Sequence, residues 1–261
     1  MPRPAFLDLP ERAVKPRQVG ISHLLDPGLP LGQVADLLES AGNFVDVWKL
    51  GWGVAYLDPN LEAKLDLLAR QRVLASPGGT LLEIAWTQNR CEQFLDWARA
   101  AGFPCVEVSS GTVEMSADAK HELIARAAQD FIVLAEVGVK DPAVRWGTSE
   151  WARAASADLA AGATWVIAEG RASGTVGIYS GSGEVREDVV AAMTEAVGAD
   201  VLVFEAPRES QQAWFVRRFG PDVNLANVSP AGALSLETLR LSLRADTVGA
   251  RAPRPAAARR A

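Results

Sequence analysis

The chain has 261 residues, of which 49% are hydrophobic and 22% are charged, and its formal net charge is −6. This composition is that of an ordinary globular protein and excludes collagen-like, coiled-coil and disordered architectures. No apolar run reaches the roughly 18 residues of a membrane span, and the N-terminal sequence lacks the apolar core of a signal peptide. We therefore expect a cytoplasmic protein without membrane contact. Two cysteines and two histidines are too few for a disulfide framework or a zinc cluster.

The charge is unevenly distributed along the chain. Residues 249–261 contain four arginines and no acidic residue, so residues 1–248 carry a net charge of −10. A body this acidic repels nucleic-acid phosphates, and we expect no nucleic-acid partner. We interpret 249–261 as a disordered tail rich in Ala, Pro and Arg; the alternative is a basic tether for an acidic partner.

Eight short runs rich in Val, Ile and Leu predict strands that are buried on both faces, as in a parallel sheet. The runs are 20–26, 44–51, 72–79, 105–111, 131–138, 164–170, 200–206 and 223–228. Apolar residues at three- and four-residue spacing predict helices between and after these strands, and several of the helical patterns end in glycine. The predicted helices are 31–42, 60–71, 91–102, 119–130, 149–163, 186–198, 210–220 and 235–247.

The alternation of strands and helices predicts the fold class. Eight strand–helix units in one chain are typical of an α/β protein that forms a single (β/α)8 TIM barrel. A doubly wound sheet usually has fewer strands and a glycine-rich first turn. No linker interrupts the pattern, so we expect one barrel over residues 15–248, preceded by an N-terminal extension over residues 1–14.

Polar residues close nearly every predicted strand, and barrel enzymes carry their catalytic groups at these C-terminal strand ends. One glutamate there could equally form a structural salt bridge, but so many buried charges must be paired or metal-bound. Converging carboxylates predict a hard cation such as Mg²⁺, and the lysines and arginine predict an anionic substrate. The strand-end residues are Asp26, Lys49, Gly78, Gly79, Glu107, Ser109, Glu136, Lys140, Glu169, Arg171, Glu205, Asn224 and Asn227.

Two glycine-containing segments are candidate anion sites. Gly78 and Gly79 follow a strand and would let backbone N–H groups approach an anion, although a tight strand-to-helix turn is an equal alternative. Arg171, Ser173 and Gly174 follow a later strand and could grip a phosphoryl group through the guanidinium and the backbone N–H groups. The chain lacks the glycine motifs of nucleotide-binding loops and the G-x-S-x-G motif of serine hydrolases.

The two histidines carry less information than the strand ends. His23 lies in the middle of the first predicted strand, where it could face the barrel interior or fill an inert core position. His121 lies in a helical pattern and is interpreted as a surface residue. Their unrelated positions argue against a serine triad.

Several strand-end segments together resemble the phosphosulfolactate synthase family. The similarity extends from about Lys15 to Thr247, and the segments occur in the same order and at the same spacing. The segments are KPR at 15–17, KLGWG at 49–53, PGGTL at 77–81, EVG-x-KDP at 136–142, SGTVGIY at 173–179, FEAP at 204–207, SQQAWFVRRFGPDVNLAN at 210–227 and SLETLRLSLRADT at 235–247.

The resemblance implies a reaction, a cofactor and residue roles. Family members add sulfite to C3 of phosphoenolpyruvate in a Mg²⁺-dependent lyase reaction that gives (2R)-phospho-3-sulfolactate. The implied proton donors or anion ligands are Lys49 and Lys140, with Glu107 as a further catalytic residue. The implied metal ligands are Glu136, Glu169 and Glu205, with Glu83 as a metal ligand or a partner of one. The implied phosphate contacts are Arg171, Ser173 and Gly174. The strand-end positions add Asp26, Gly78, Gly79, Ser109 and Asn224 as expected substrate contacts.

Three departures from the family pattern keep other functions open. Pro27, Val139 and Glu209 stand where the resemblance leads us to expect lysine. If these positions surround the substrate, the lost positive charge favours a phosphoenolpyruvate enzyme with a less anionic nucleophile. A non-enzymatic stress or interaction role on the same barrel is a third hypothesis. The sequence also leaves room for a homo-oligomer.

Overall fold

The computed structural model describes residues 6–138 and 146–249, and its eight strands form one parallel sheet. The order β3-β2-β1-β8-β7-β6-β5-β4 curls the sheet into a nearly closed barrel. The remaining seam lies between β3 and β4, where the Cys105 thiol donates to the Ala75 carbonyl at 3.2 Å. The strands are β1 (Ser22–Asp26), β2 (Val47–Leu50), β3 (Leu74–Ser76), β4 (Cys105–Val108), β5 (Ile132–Val137), β6 (Trp165–Ala168), β7 (Leu202–Glu205) and β8 (Leu225–Val228).

Helices surround this sheet and confirm the (β/α)8 prediction. They are α1 (Leu31–Ala41), α2 (Val54–Leu57), α3 (Leu61–Arg70), α4 (Gly79–Thr87), α5 (Cys91–Ala101), α6 (Ala117–Ala127), α7 (Thr148–Ala160), α8 (Glu187–Val197), α9 (Glu209–Phe219) and α10 (Ala233–Arg240). Within the described ranges, no helix is both long enough and apolar enough to cross a bilayer.

Three helical details differ from the sequence prediction. The pattern missed α2 and α4; α4 begins directly after Gly78, in a segment for which no helix was predicted. The last predicted helix, 235–247, was too long at its C-terminal end, because α10 ends at Arg240 and turns follow it. The predicted tail at 249–261 lies outside the described residues except for Gly249.

The strands alternate between an inner and an outer face, and this alternation determines which side chains reach the barrel axis. Val47, Cys105 and Leu134 belong to a small apolar cluster inside the barrel, whereas their neighbours on the same strands pack against the helices. Two residues further along each strand, the same inner face carries Lys49, Glu107 and Glu136. An apolar layer therefore supports a layer of ionisable groups near the C-terminal strand ends.

Polar groups close the opposite end of the barrel. The buried Arg240 guanidinium donates to the carbonyl oxygens of Val223 at 2.6 Å and Ile21 at 3.0 Å, at the starts of β8 and β1. Arg12, from the segment predicted as an N-terminal extension, pairs with Asp222 and with Glu237 of α10. These contacts tie both ends of the described chain to the base of the barrel.

Candidate active site

A cavity of about 420 Å³ opens at the C-terminal ends of the strands, where the sequence predicted the site. It lies above the layer of ionisable side chains and is bordered by the loops that follow β2, β3, β4 and β6. The lining residues are Leu25, Lys49, Gly51, Trp52, Gly78, Gly79, Thr80, Thr112, Glu136, Glu169, Arg171, Ala172, Ser173, Glu205 and Asn227.

A buried charge network centres on Lys49. Its Nζ lies 2.9 Å from Glu107 Oε2 and 3.8 Å from Glu205 Oε1. The other oxygen of Glu107 lies 3.0 Å from His23 Nε2. The backbone N–H of Asn227 points to His23 Nδ1 at 3.4 Å, so Nδ1 accepts and Nε2 is the nitrogen that donates to Glu107. The network therefore joins β2, β4, β7, β1 and β8.

The network fixes the charges of its two central groups. Burial alone would lower the pKa of Lys49, but the carboxylates of Glu107, Glu205 and Glu136 outweigh it and hold that pKa above the usual lysine value. Burial would raise the pKa of Glu107, but Lys49 and the hydrogen bond from His23 hold it below the usual range of a glutamate. The cavity is therefore lined by a lysine that stays protonated, and Glu107, which does not line the cavity, stays ionised beside it.

The loop after β6 is held by two carboxylates. Glu205 Oε2 accepts from the backbone N–H groups of Gly170 at 2.8 Å and Arg171 at 2.7 Å. Glu169 Oε1 accepts from the same N–H of Arg171 at 2.7 Å. Arg171 has a φ of +57°, in the left-handed region, so this turn is held in an uncommon conformation. Arg171 and Ser173 reach the cavity from this loop.

A helix N-terminus faces the cavity from the other side. Gly78 has a φ of +76° and caps α4, and Gly78, Gly79 and Thr80 all line the cavity. The first N–H groups of a helix lack intrahelical acceptors and attract anions. The structure shows the tight strand-to-helix turn at this segment, and the anion site stays a prediction. Gly79 packs against Ser109, which leaves no room for a Cβ there.

Ser109 and Glu83 organise the loop after β4. The Glu83 carboxylate accepts from the Ser109 hydroxyl, from the Thr112 hydroxyl and from the Thr112 backbone N–H, the last at 3.0 Å. Thr112, which this carboxylate positions, lines the cavity, whereas Ser109 and Glu83 do not.

The structure places four predicted substrate contacts outside the cavity lining: Ser109, described above, and Asp26, Asn224 and Gly174. Asp26 faces the helices, where its carboxylate accepts from Trp48 Nε1 at 2.9 Å and from the N–H groups of Gly28 and Leu29. Asn224 lies at the opposite end of the barrel, with its amide bonded to the backbone of neighbouring strands. Gly174 packs against the Gln211 amide, and its N–H donates to the Arg171 carbonyl. Lys140 lies outside the described residues.

Two of the three lysine departures also lie away from the cavity. Pro27 borders a separate surface groove with Leu29 and Pro230. Glu209 begins α9, accepts from the Ser235 hydroxyl at 2.7 Å and pairs with Arg244 at 3.0 Å. Val139, the third departure, is outside the described residues. Pro27 and Glu209 therefore do not alter the charge of the cavity wall, which weakens the argument for a less anionic nucleophile.

In the part of the chain that the structure describes, the cavity offers two carboxylates, Glu136 and Glu169, as candidate metal ligands, fewer than a complete set of protein ligands. Among the described residues, no three carboxylate, imidazole or thiol groups are grouped closely enough to hold a metal ion together. Glu136 and Glu169 both line the cavity and carry the hard oxygen donors that Mg²⁺ prefers. Mg²⁺ is commonly bound by one or two carboxylates, with water and substrate oxygens completing the shell, and these two residues fit that mode.

Sequence reasoning missed six lining residues and gave no role to a seventh. The six are Leu25, Gly51, Trp52, Thr80, Thr112 and Ala172. Trp52 follows Lys49 by three residues, and its left-handed φ of +50° was not readable from the sequence. Thr80, Thr112 and Ala172 belong to loops whose course depends on Gly78, Glu83 and Glu205. Asn227 was recognised as a strand-end residue, but the sequence offered no reason to separate it from Asn224.

The family model and two relatives that match this chain share one description, phosphosulfolactate synthase. A family model described as (2R)-phospho-3-sulfolactate synthase matches residues 10–246. The phosphosulfolactate synthase of Methanothermobacter thermautotrophicus is 41% identical over 246 residues, covering 92% of this chain and 95% of that protein. The phosphosulfolactate synthase of Bacillus subtilis is 40% identical over 247 residues, covering 92% and 97%.

Solved structures support the fold independently. A crystal structure of 3-hexulose-6-phosphate synthase superposes with a TM-score of 0.52 at 17% sequence identity, covering 84% of this chain and 96% of that chain. At this identity the likeness concerns the barrel alone. The family match is the more specific finding, and it spans nearly the entire described barrel. The chain belongs to the (2R)-phospho-3-sulfolactate synthase family.

Proposed function

We propose that this protein catalyses the Mg²⁺-dependent addition of sulfite to C3 of phosphoenolpyruvate, giving (2R)-phospho-3-sulfolactate. The family match over residues 10–246 is the observation that carries the proposal. The cavity supports it by combining Lys49, Arg171 and a helix N-terminus, which suit two anionic substrates.

The proposed reaction is an addition, so it has no leaving group and the phosphoryl group stays on the product. The sulfur lone pair of sulfite forms the C3–S bond, the electrons of the C2–C3 double bond move toward the carboxylate, and C2 then receives a proton. Arg171 and Ser173 would hold the phosphoryl group, because a guanidinium fork matches phosphate oxygens. Lys49 would stabilise the charge that develops at the carboxylate, since it is held protonated. Lys140 stays a candidate for the proton donor.

Mg²⁺ is part of the proposal, with Glu136 and Glu169 as its protein ligands. When bound, the ion would supply positive charge at the carboxylate oxygens on which negative charge develops. Glu205 is assigned a different task, because one of its oxygens already accepts two backbone N–H groups and the other faces Lys49. It would hold the Arg171 turn and Lys49 in position.

The test is to incubate the purified protein with phosphoenolpyruvate, sulfite and MgCl2 in D2O and to follow phosphorus and proton NMR spectra. We expect sulfite-dependent loss of phosphoenolpyruvate, no release of inorganic phosphate, and one deuterium at C2 of the product. EDTA should stop the reaction and added Mg²⁺ should restore it. Lys49→Met is the low-activity control. Its kcat should be lower than that of the parent by about 10²–10³-fold, the scale of one lost electrostatic stabiliser.

Two outcomes would contradict the proposal. Phosphoenolpyruvate that is consumed equally without sulfite would indicate a different nucleophile. Phosphoenolpyruvate that is never consumed, by a folded protein supplied with Mg²⁺, would favour the non-enzymatic hypothesis. Full activity in EDTA would remove the metal from the proposal while leaving the addition reaction in place.

We also propose a cytoplasmic location and a homo-oligomer. The two cysteines, Cys91 and Cys105, are both free, which suits a reducing compartment. Support for self-association comes from an apolar groove beside the cavity, in which Trp52, Tyr56 and Leu57 are 59%, 72% and 80% exposed. Exposed aromatic patches of this kind are typical of protein interfaces.

A further inference from the structure

Among the residues that the structure describes, none hydrogen-bonds to the buried side chain of Asn227. The residue is only 6% exposed and lines the cavity. Its Oδ1 is buried without a hydrogen bond, and within residues 6–138 and 146–249 the one hydrogen bond found for Asn227 is the backbone bond to His23. Buried amides in native proteins are nearly always paired. The Nδ2 donor of Asn227, which has no acceptor among the described residues, therefore points to an acceptor ligand in the cavity.

The backbone is distorted at the same position. β1 and β8 pair Ser22 with Leu225 but Leu24 with Val228, so β8 accommodates one extra residue across this interval. Asn227 lies within that bulge and has a φ of +54°. Bulges near active sites redirect side chains, and residues held in the left-handed region cluster at active sites. The bulge and the left-handed φ therefore direct the Asn227 carboxamide toward the cavity, where no described residue hydrogen-bonds to it.

We propose that the Asn227 carboxamide binds the carboxylate of the substrate, by donating a hydrogen bond from Nδ2 to a carboxylate oxygen. This assignment rests on the proposed function. The groups best suited to the phosphoryl end are Arg171 and Ser173, on the loop after β6, and the N-terminus of α4. A neutral planar amide can donate from Nδ2 to a planar carboxylate without adding charge to the site. Asn227 would thus distinguish a phosphorylated carboxylic acid from phosphate alone.

The experiment separates the effect of the Asn227 carboxamide from the effect of the backbone conformation at this position. Asn227→Gly removes the side chain but favours the left-handed conformation, so the bond to His23 is kept. Asn227→Asp keeps the shape, removes the donor and adds a negative charge. Asn89→Gly is the matched control, because Asn89 also has a φ of +54° but is exposed on a surface turn.

Affinities are measured by calorimetric titration with phosphoenolpyruvate, oxalate and inorganic phosphate, each in Mg²⁺ buffer. We expect Asn227→Gly to bind phosphoenolpyruvate and oxalate at least about tenfold more weakly, the scale of one hydrogen bond to a charged group. Its affinity for phosphate should stay within about twofold of the parent. Asn227→Asp should bind both carboxylates more weakly still, and Asn89→Gly should match the parent for all three ligands.

Three outcomes would overturn the assignment. If Asn227→Gly and Asn227→Asp bind phosphoenolpyruvate like the parent, the carboxamide has no role in binding. If phosphate affinity falls as much as oxalate affinity, Asn227 contacts the phosphoryl end. A folded parent that binds neither carboxylate would exclude the contact altogether. A parent that binds phosphoenolpyruvate but does not consume it with sulfite would overturn the proposed function alone, because the titrations still test Asn227.

Discussion

At the scale of single residues, the cavity depends on one lysine whose charge is fixed by its surroundings. Lys49 is only 8% exposed, and an isolated ammonium group at that depth would tend to lose its proton. The contact with Glu107 at 2.9 Å prevents this, and His23 holds the far side of the same carboxylate. His23 is therefore a barrel-facing residue that positions Glu107, which answers the question that its mid-strand position left open.

This arrangement predicts how substrate affinity depends on pH. Because the pKa of Lys49 is held above the usual value of about 10.4, Lys49 should stay protonated throughout pH 7.5–9.5. Lys49→Arg carries a permanent charge, so the ratio of its phosphoenolpyruvate affinity to that of the parent should stay constant over this range. Calorimetric titration at several pH values measures the ratio. If Lys49 instead lost its proton in this window, the parent would weaken and the ratio would rise with pH.

At the scale of elements, α9 holds the loop that carries Arg171. Gln211 in the first turn of α9 is 2% exposed, and its Nε2 donates to the carbonyl oxygens of Gly174 at 2.8 Å and Gly183 at 3.0 Å. Its Oε1 accepts from the backbone N–H of Arg208 at 3.2 Å. Arg208 itself donates from Nε to the Ser173 carbonyl at 2.9 Å. One helix start therefore fixes both ends of the loop.

Gln211→Glu should loosen this loop without uncapping α9. The substituted side chain can still accept from the Arg208 N–H, but it cannot donate to Gly174 and Gly183, and it brings a negative charge to their carbonyls. We expect the KM for phosphoenolpyruvate to rise by about tenfold through misplacement of Arg171, with a smaller change in kcat. Steady-state kinetics measure the split. The control is Gln212→Glu, since Gln212 donates to Ala206 instead of the loop. Equal KM changes in both variants would contradict this role.

At the scale of the whole molecule, the sequence predicted the architecture better than the site. Each predicted strand run contains the observed strand, because strands buried on both faces produce continuous apolar runs. The inward or outward direction of a side chain needs the phase of the strand as well. Asp26 lies three residues after the inward-facing His23 and therefore points outward. Asn227 faces the cavity only because of the bulge in β8, and an irregularity of this kind leaves no signature in residue type.

The outer surface of the barrel carries an apolar groove next to the cavity mouth. Trp52 borders both the groove and the cavity, and Tyr56, Leu57 and Ile84 are exposed along the groove. Tyr56 also lies 6.5 Å from Trp97 between ring centroids, so the surface is continuous with an aromatic cluster on α5. If a second copy of the chain covers this groove, Trp52 would lie both at the subunit interface and at the mouth of the cavity through which substrate enters.

If the proposed homo-oligomer forms through this groove, Leu57→Glu should convert it to single chains. Leu57 is 80% exposed, so the substitution adds no buried charge to the isolated barrel, whereas at an apolar interface it would bury an unpaired carboxylate. Light scattering after size exclusion should give a mass above 27.8 kDa for the parent and close to that value for the variant. Val14→Glu is the control, because Val14 is 84% exposed and lies outside the groove. A parent that already has the mass of one chain, or a Leu57→Glu protein that keeps the mass of the parent, would exclude this groove as the subunit interface.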